Sequence, residues 1–329
     1  MSIQSSPAGV PRTAASLRPR APHRARHRAR HRARGWARPA LGRWGRRRTC
    51  VVLLALVGIG VLLYPSSARW FSDRSHAAVV SGYAKAVESM LPADKQRALA
   101  AAHAYNDHLP PGPLRDPYGA GAAAPTVDAA YRAYLDTLDV GAGGVIGYVS
   151  APSIGLSLPI YHGTAAETLD RGVGHLYGTA LPVGGAGTHS VLTAHSGLVN
   201  ATMFTDIDKL RDGDEFSVTV LDQTITYRVD RIRTVLPDQT DSLRPVAGKD
   251  LLTLVTCAPI GVNTHRLLVE GVRVPDADTA SARRSIVGRA GGPGFPGWLV
   301  EALGAALLIV VATRRLGDTS APRRRGSAP

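Results

Sequence analysis

From Gly144 onward the chain is a succession of short apolar runs separated by turn residues. Runs at 145–151, 156–161, 189–195, 215–222, 224–236, 250–257 and 265–274 read as strands, and Asp212-Gly213 and Asp222-Gln223 mark turns between them. Short strands at this spacing restrict the fold to a closed or nearly closed β-barrel. Short helices fit at 165–170 and 203–210. About 130 residues, from 144 to 275, are enough to bury a substantial core. No internal repeat is present.

The region before the barrel has a different texture. Residues 75–109 are Ala-rich and helical in pattern, and Pro92 divides them into helices expected at 75–91 and 93–108. The segment Pro110-Pro-Gly-Pro-Leu-Arg-Asp-Pro-Tyr-Gly-Ala-Gly121 fits neither helix nor sheet and reads as a Pro/Gly loop long enough to be a lid or linker. Residues 127–138 suggest one more short helix.

Charge is distributed unevenly. The formal net charge is +14, but residues 1–48 hold fourteen Arg, no Lys and no acid, so the remaining chain balances at 25 basic against 25 acidic residues. Three His-Arg-Ala-Arg repeats between His23 and Arg34 give the arm a low-complexity composition, expected to be disordered. Such an arm suits nucleic acid, but Arg46, Arg47 and Arg48 lead directly into the uncharged run Cys50–Tyr64. A basic flank followed by an apolar stretch reads as a signal anchor with its N-terminus inside, so nucleic acid is not an expected partner. Ser66-Ser-Ala68 would suit a signal peptidase, which keeps cleavage open. A second apolar stretch, Trp298–Thr313, precedes Arg314 and Arg315 and reads as a second span, with an amphipathic or buried C-terminal helix as the alternative. Two spans with both ends inside put the barrel on the extracytoplasmic side.

The candidate chemistry centres on Cys257, the only cysteine of that outer part. Cys50 lies at the inner membrane edge and cannot pair with it. A lone thiol on the oxidising side is an accident, an intermolecular link or a nucleophile. A nucleophilic thiol needs a base or proton partner. Eight His are on offer, His76, His103, His108, His162, His175, His189, His195 and His265, and spacing alone does not choose among them. His195 stands out locally because it ends the apolar run Ser190-Val-Leu-Thr-Ala-His195 and precedes Ser196-Gly197. Arg266 opens the strand after the Cys257 strand, and if the two strands pair it lies close enough to donate to a developing oxyanion. There is no His-Glu-x-x-His and no Cys-x-x-Cys, so a metal is not expected.

Three segments carry a resemblance. Gly174-His-Leu-Tyr-Gly-Thr-Ala-Leu-Pro-Val-Gly-Gly-Ala-Gly-Thr-His-Ser-Val-Leu-Thr-Ala-His-Ser-Gly197 resembles the central block of class C sortases. Met203-Phe-Thr-Asp-Ile-Asp-Lys-Leu-Arg-Asp-Gly-Asp214 does so too, and Thr253-Leu-Val-Thr-Cys-Ala-Pro-Ile-Gly-Val-Asn-Thr-His-Arg-Leu-Leu-Val269 looks like that family's Cys-to-Arg signature. The resemblance covers residues 75–275. It implies an eight-stranded β-barrel cysteine transpeptidase with short helices, an N-terminal helical extension carrying a lid loop, and flanking transmembrane helices. Cys257 would be the nucleophile, His195 the general acid/base and Arg266 the cation that orients substrate and stabilises the oxyanion. Asp116-Pro117-Tyr118 resembles the family's lid motif, usually Asp-Pro followed by Phe or Trp. Carried over, Asp116 pairs with Arg266 and Tyr118 caps Cys257, the Tyr hydroxyl and Ala194 being departures.

The division that follows is an Arg-rich cytoplasmic arm (1–48), a signal anchor (49–70), a helical extension (71–143) with the lid loop at 109–126, the barrel (144–276), a linker (277–297), a second transmembrane helix (298–313) and a basic tail (314–329). The resemblance implies cleavage of an LPxTG-like sorting signal and its transfer to a Lys of a pilin subunit, without a cofactor. The partners would be pilins and, through two transmembrane helices, lipid. Two alternatives remain. An anchoring sortase of another class would use a cell-wall amine. A non-catalytic membrane-anchored scaffold would leave Cys257 unused. An L,D-transpeptidase would carry His and Gly just before its Cys, where Val255 and Thr256 stand.

Overall fold

A computed structural model describes residues 45–109, 114, 116–118, 128–141, 143–275 and 294–318. The Arg-rich arm to residue 44, most of the lid loop, most of the 277–297 linker and the end of the tail lie outside the described residues.

Eight strands form the body: β1 (Val145–Ala151), β2 (Leu156–His162), β3 (Val173–His175), β4 (Thr188–Thr193), β5 (Glu215–Val220), β6 (Gln223–Val235), β7 (Asp250–Ala258) and β8 (His265–Arg273). They close into a barrel in the order β1-β2-β3-β4-β7-β8-β6-β5. Pairing is antiparallel except for β2 with β3 and β4 with β7, which run parallel. Closure leaves no free edge, and the inward residues of all strands share one core. Ile146, Val149, Ile160, Leu192, Leu252, Leu254 and Val269 fill it, and Phe216 stacks on Tyr227 with ring centroids 5.8 Å apart. β3 falls outside the sequence expectation, because three residues are too few to show a period. The helix expected at 203–210 is a single 3-10 turn, Ile207–Lys209.

Helix α1 (Arg46–Glu88) corrects the expected boundary at residue 70. It is one helix of 43 residues that takes in both the apolar anchor and the helix expected from residue 75. Pro65 lies within it. Beyond Pro65 no Pro interrupts the helix, Gly82 being its one glycine. Its distal face is buried through Val80, Tyr83 and Val87. Tyr83 donates to the Ile146 carbonyl at 3.1 Å and accepts from the Leu221 amide at 2.7 Å, which ties the helix to strand β1 and to the β5–β6 turn. The 18-residue apolar window near the start of α1 has a mean hydropathy of 2.2 and no buried share, so the helix is long and apolar enough to cross a membrane.

Helix α2 (Pro92–Asp107) begins at its proline, where a missing N–H costs nothing. Asn106 on α2 matches the backbone of Leu181 on both sides, donating at 3.0 Å and accepting at 2.7 Å. Helix α3 (Ala129–Asp136) is capped by Asp128, whose carboxylate accepts from the Tyr131 amide at 2.8 Å. Tyr134 on α3 is fully buried and meets His175 Nδ1 at 2.9 Å and the Gly163 amide at 2.9 Å. A four-residue helix α4 (Ala166–Leu169) links β2 to β3, and α5 (Gly297–Asp318) lies at the C-terminal end against α1.

Candidate active site

Cys257 is the penultimate residue of β7, and Arg266 is its direct cross-strand partner on β8. Their antiparallel pairing follows from the short connection Pro259–Thr264, which turns the chain straight back. Both are buried, at 8% and 6% exposure. The guanidinium donates through Nη1 to the carbonyls of Asn263 and His265, each at 2.9 Å. Its other two edges are taken by the lid. Nε donates to Asp116 Oδ1 and Nη2 to Asp116 Oδ2, both at 2.7 Å, a bidentate pair.

Two residues further along the lid, the Tyr118 ring stands between Arg266 and His195. Arg266 Cζ lies 5.1 Å from its centroid, and the His195 ring lies 5.8 Å away on centroids. The Tyr118 hydroxyl donates to the Ala194 carbonyl at 2.6 Å and accepts from Thr193 Oγ1. The departure from Phe or Trp thus has a contact of its own. Pro117 beside it covers an apolar cleft lined by Val235, Leu236, Leu243, Val255 and Leu268.

His195 does not end a strand as the sequence suggested. β4 stops at Thr193, and His195 lies in the loop beyond it. That loop is fastened to the Cys257 strand by hydroxyl side chains on either flank. Thr256 Oγ1 donates to the Ala194 carbonyl and Ser196 Oγ to the Cys257 carbonyl, both at 2.7 Å. The backbone adds a bond from the Ala194 amide to the Val255 carbonyl at 3.3 Å. Sequence reasoning missed these two stitches, although each hydroxyl is the chain neighbour of a candidate residue. It also missed Asp170, whose Oδ1 lies 3.9 Å from His195 Nε2.

The other histidines are placed elsewhere. His175 is fully buried among tyrosines, and His189 bonds Thr253 Oγ1 at 2.7 Å on the β4–β7 seam. Burial pushes the His175 imidazole down to about 3 and that of His162 to about 4. Burial also pushes the Cys257 thiol up; the Arg266 charge opposes this and the Asp116 charge adds to it. The hydrogen bond to Asp116 raises Arg266. Among the described residues no group of three His, Cys, Asp or Glu side chains could hold a metal ion.

An eight-stranded barrel with a buried Cys and Arg facing across adjacent strands, and a His beside them, defines a class. The sequence matches the sortase-domain family over residues 149–274. It is similar to the solved structure of sortase C-1 from Actinomyces oris, at 50% identity and a TM-score of 0.53, covering 56% of this chain and 99% of that one. A pilus-related sortase C of Group B Streptococcus is 42% identical with a TM-score of 0.54, covering 60% of this chain and 97% of that one. Sortase C-1 of Streptococcus pneumoniae is 39% identical at 0.55, with 60% and 97% covered. Among curated proteins, a Bacillus anthracis protein named Sortase A is 30% identical over 127 residues, which are 39% of this chain and 59% of that protein. Sortase D of Bacillus subtilis is 30% identical over 131 residues, 39% of this chain and 63% of that protein. The chain therefore spans about three fifths of the length of the curated relatives it matches. The chain belongs to the sortase family, and its solved neighbours are class C sortases.

Proposed function

We propose that this protein is a membrane-anchored cysteine transpeptidase that cuts an LPxTG-like sorting signal and passes it to a Lys amine of a pilin subunit. The observation that carries the reading is the guarded Cys257–Arg266 pair. The Asp116 carboxylate occupies the guanidinium and the Tyr118 ring fills the space toward His195. Such a guard suits a thiol that must not react until substrate displaces the lid.

Once the lid leaves, the two guanidinium edges vacated by Asp116 point at the space beside the thiol. The Cys257 thiolate attacks the carbonyl carbon before the scissile bond, and the oxyanion takes the donors that Asp116 held. His195 gives a proton to the leaving amine, the C–N bond breaks, and a thioester remains on Cys257. An incoming amine then loses a proton to His195 and attacks the thioester. The C–S bond breaks, a new amide forms, and the thiolate is restored beside a protonated His195. One amide is exchanged for another, so the balance needs no cofactor.

The similarity to a pilus-related sortase C supports the pilin-polymerase reading. Helix α1 serves as the anchor and α5 as a second span, whose apolar stretch of 17 residues from Gly297 to Thr313 carries one charge, Glu301, near its outer end. Both ends then lie in the cytoplasm and the barrel outside. The test uses the full chain in lipid nanodiscs, an LPxTG peptide and a pilin with a candidate acceptor Lys, read by mass spectrometry. A thioacyl adduct on Cys257 that resolves onto the pilin Lys, absent in Cys257→Ala, is the expected result. Resolution only by cell-wall peptide amines would make it an anchoring sortase. No adduct, even with Asp116→Ala and Tyr118→Ala combined, would overturn the catalytic assignment.

A further inference from the structure

Helix α1 acts as a ruler for how the barrel stands on a membrane. From Thr49 to Ala68 it carries twenty residues without a charge, flanked by Arg48 and Arg69. At 1.5 Å per residue that is about 30 Å, the thickness of the hydrocarbon core. Arg69 therefore marks the outer surface. The next residues agree. Trp70, Phe71 and Trp298 form an aromatic cluster with centroids 5.0 to 6.5 Å apart, and Trp70 Nε1 donates to the Gly294 carbonyl at 2.8 Å. Aromatic side chains concentrate at this level of a bilayer.

The barrel touches the ruler at known heights. Arg69 Nη2 donates to the Leu198 carbonyl at 3.5 Å, just beyond His195. One turn higher, Asp73 lies beside Thr202. Tyr83, about 21 Å further from the membrane, holds Ile146 and Leu221. The exit of β4 therefore faces the bilayer and the β5–β6 turn at Leu221–Asp222 faces away.

The low end of the barrel has an unusual surface. Residues 196–205 after β4 and 258–264 between β7 and β8 contain no Asp, Glu, Lys or Arg. Val199, Ile260 and Val262 are 55%, 52% and 63% exposed. The two loops touch. Gly197 has φ +72°, and a Cβ added there would lie 2.3 Å from Ile260 Cγ2. An uncharged, apolar rim beside an aromatic girdle matches an interfacial surface rather than a solvated one.

We propose that these two loops rest in the lipid headgroup region, so that the mouth of the Cys257 site opens along the bilayer surface. The partner is the membrane itself. This inference rests on the anchor reading given above.

The test places nitroxide labels on the full chain in nanodiscs of phosphatidylcholine and phosphatidylglycerol. In a Cys50→Ala, Cys257→Ala background, single labels go on Val199→Cys, Val262→Cys, Asp222→Cys and, within the anchor, Val57→Cys. Collision with oxygen and with a water-soluble nickel chelate reports depth. The expected result is an oxygen-to-nickel ratio at 199 and 262 severalfold above that at 222, rising further at 57. Aqueous ratios at 199 and 262, with 57 still in lipid, overturn the rim while leaving the anchor standing. Low accessibility to both reagents at 199 and 262, unchanged when lipid is replaced by detergent, assigns the rim to another protein surface and also overturns it. An aqueous ratio at 57 fails the anchor reading and the rim with it. As a second readout, Val199→Ser with Val262→Ser should slow cleavage of a vesicle-embedded sorting peptide severalfold and leave a soluble one unaffected. Equal slowing of both would contradict a lipid role.

Discussion

Asp116→Ala removes two of the four acceptors of the Arg266 guanidinium and releases the lid. The two side chains are only 11% and 7% exposed, so the pair is nearly desolvated while the lid is shut. Two charge-assisted hydrogen bonds contribute about 1.5–3 kcal/mol each. Roughly half of that returns when Arg266 regains water in the open state, leaving about 1.5–3 kcal/mol, or roughly a 10- to 150-fold larger open population. Tyr118→Phe deletes the bond to the Ala194 carbonyl and leaves Thr193 without its acceptor. That is about 1 kcal/mol, or about fivefold. In a Cys50→Ala background, the pseudo-first-order rate of Cys257 labelling by a small disulfide reagent reads the open fraction directly. The pH profile gives an independent check. Burial and the Asp116 charge push the thiol up, while Arg266 pulls it down. Opening relieves the first and carries Asp116 away but keeps Arg266, so the labelling midpoint should move to lower pH in Asp116→Ala. Unchanged rates and midpoint, in a variant whose circular dichroism and melting match the parent, would refute the lid argument.

Three further outcomes follow from other parts of the molecule. His175 titrates near 6.5 unfolded but about 3 folded, and His162 about 4, so the unfolded chain binds protons first as pH falls. Stability should drop from pH 6.5 downward, by roughly 2 kcal/mol for His175 alone at pH 5, and urea midpoints that are equal at pH 7 and 5 would count against this. Ser196→Ala frees the Cys257 carbonyl and loosens the His195 loop; kcat should fall severalfold with KM little changed, and unaltered kcat would show the stitch to be idle. A Cβ at Gly174 would lie 2.4 Å from the Gly163 carbonyl oxygen. Gly174→Ala should therefore force β3 from its neighbours and lower stability by about 1–3 kcal/mol in thermal melts, whereas a wild-type melting curve would mean the loop yields freely.

The sequence by itself determined the elements whose signals are local. Seven of the eight strands showed as short apolar runs bounded by turn residues. The Cys257–Arg266 pair was also within reach, since a short connection between two strands leaves antiparallel pairing as the natural outcome. Three-residue β3 was lost because it is shorter than any period. The continuity of α1 was lost because the apolar run to Tyr64 and the Ala-rich run from Ser75 carry different patterns, and nothing local shows that one helix spans both. What joins distant segments was left to the tertiary structure. β4 lies parallel to β7 only because the barrel closes between them. Closure is what sets Thr256 against Ala194 and Ser196 against Cys257, and so what brings the His195 loop to the Cys257 strand. Asp116 reaches Arg266 across 150 residues of chain. No periodicity encodes such a contact, because it depends on the shape of the closed barrel and not on the residues beside it in sequence.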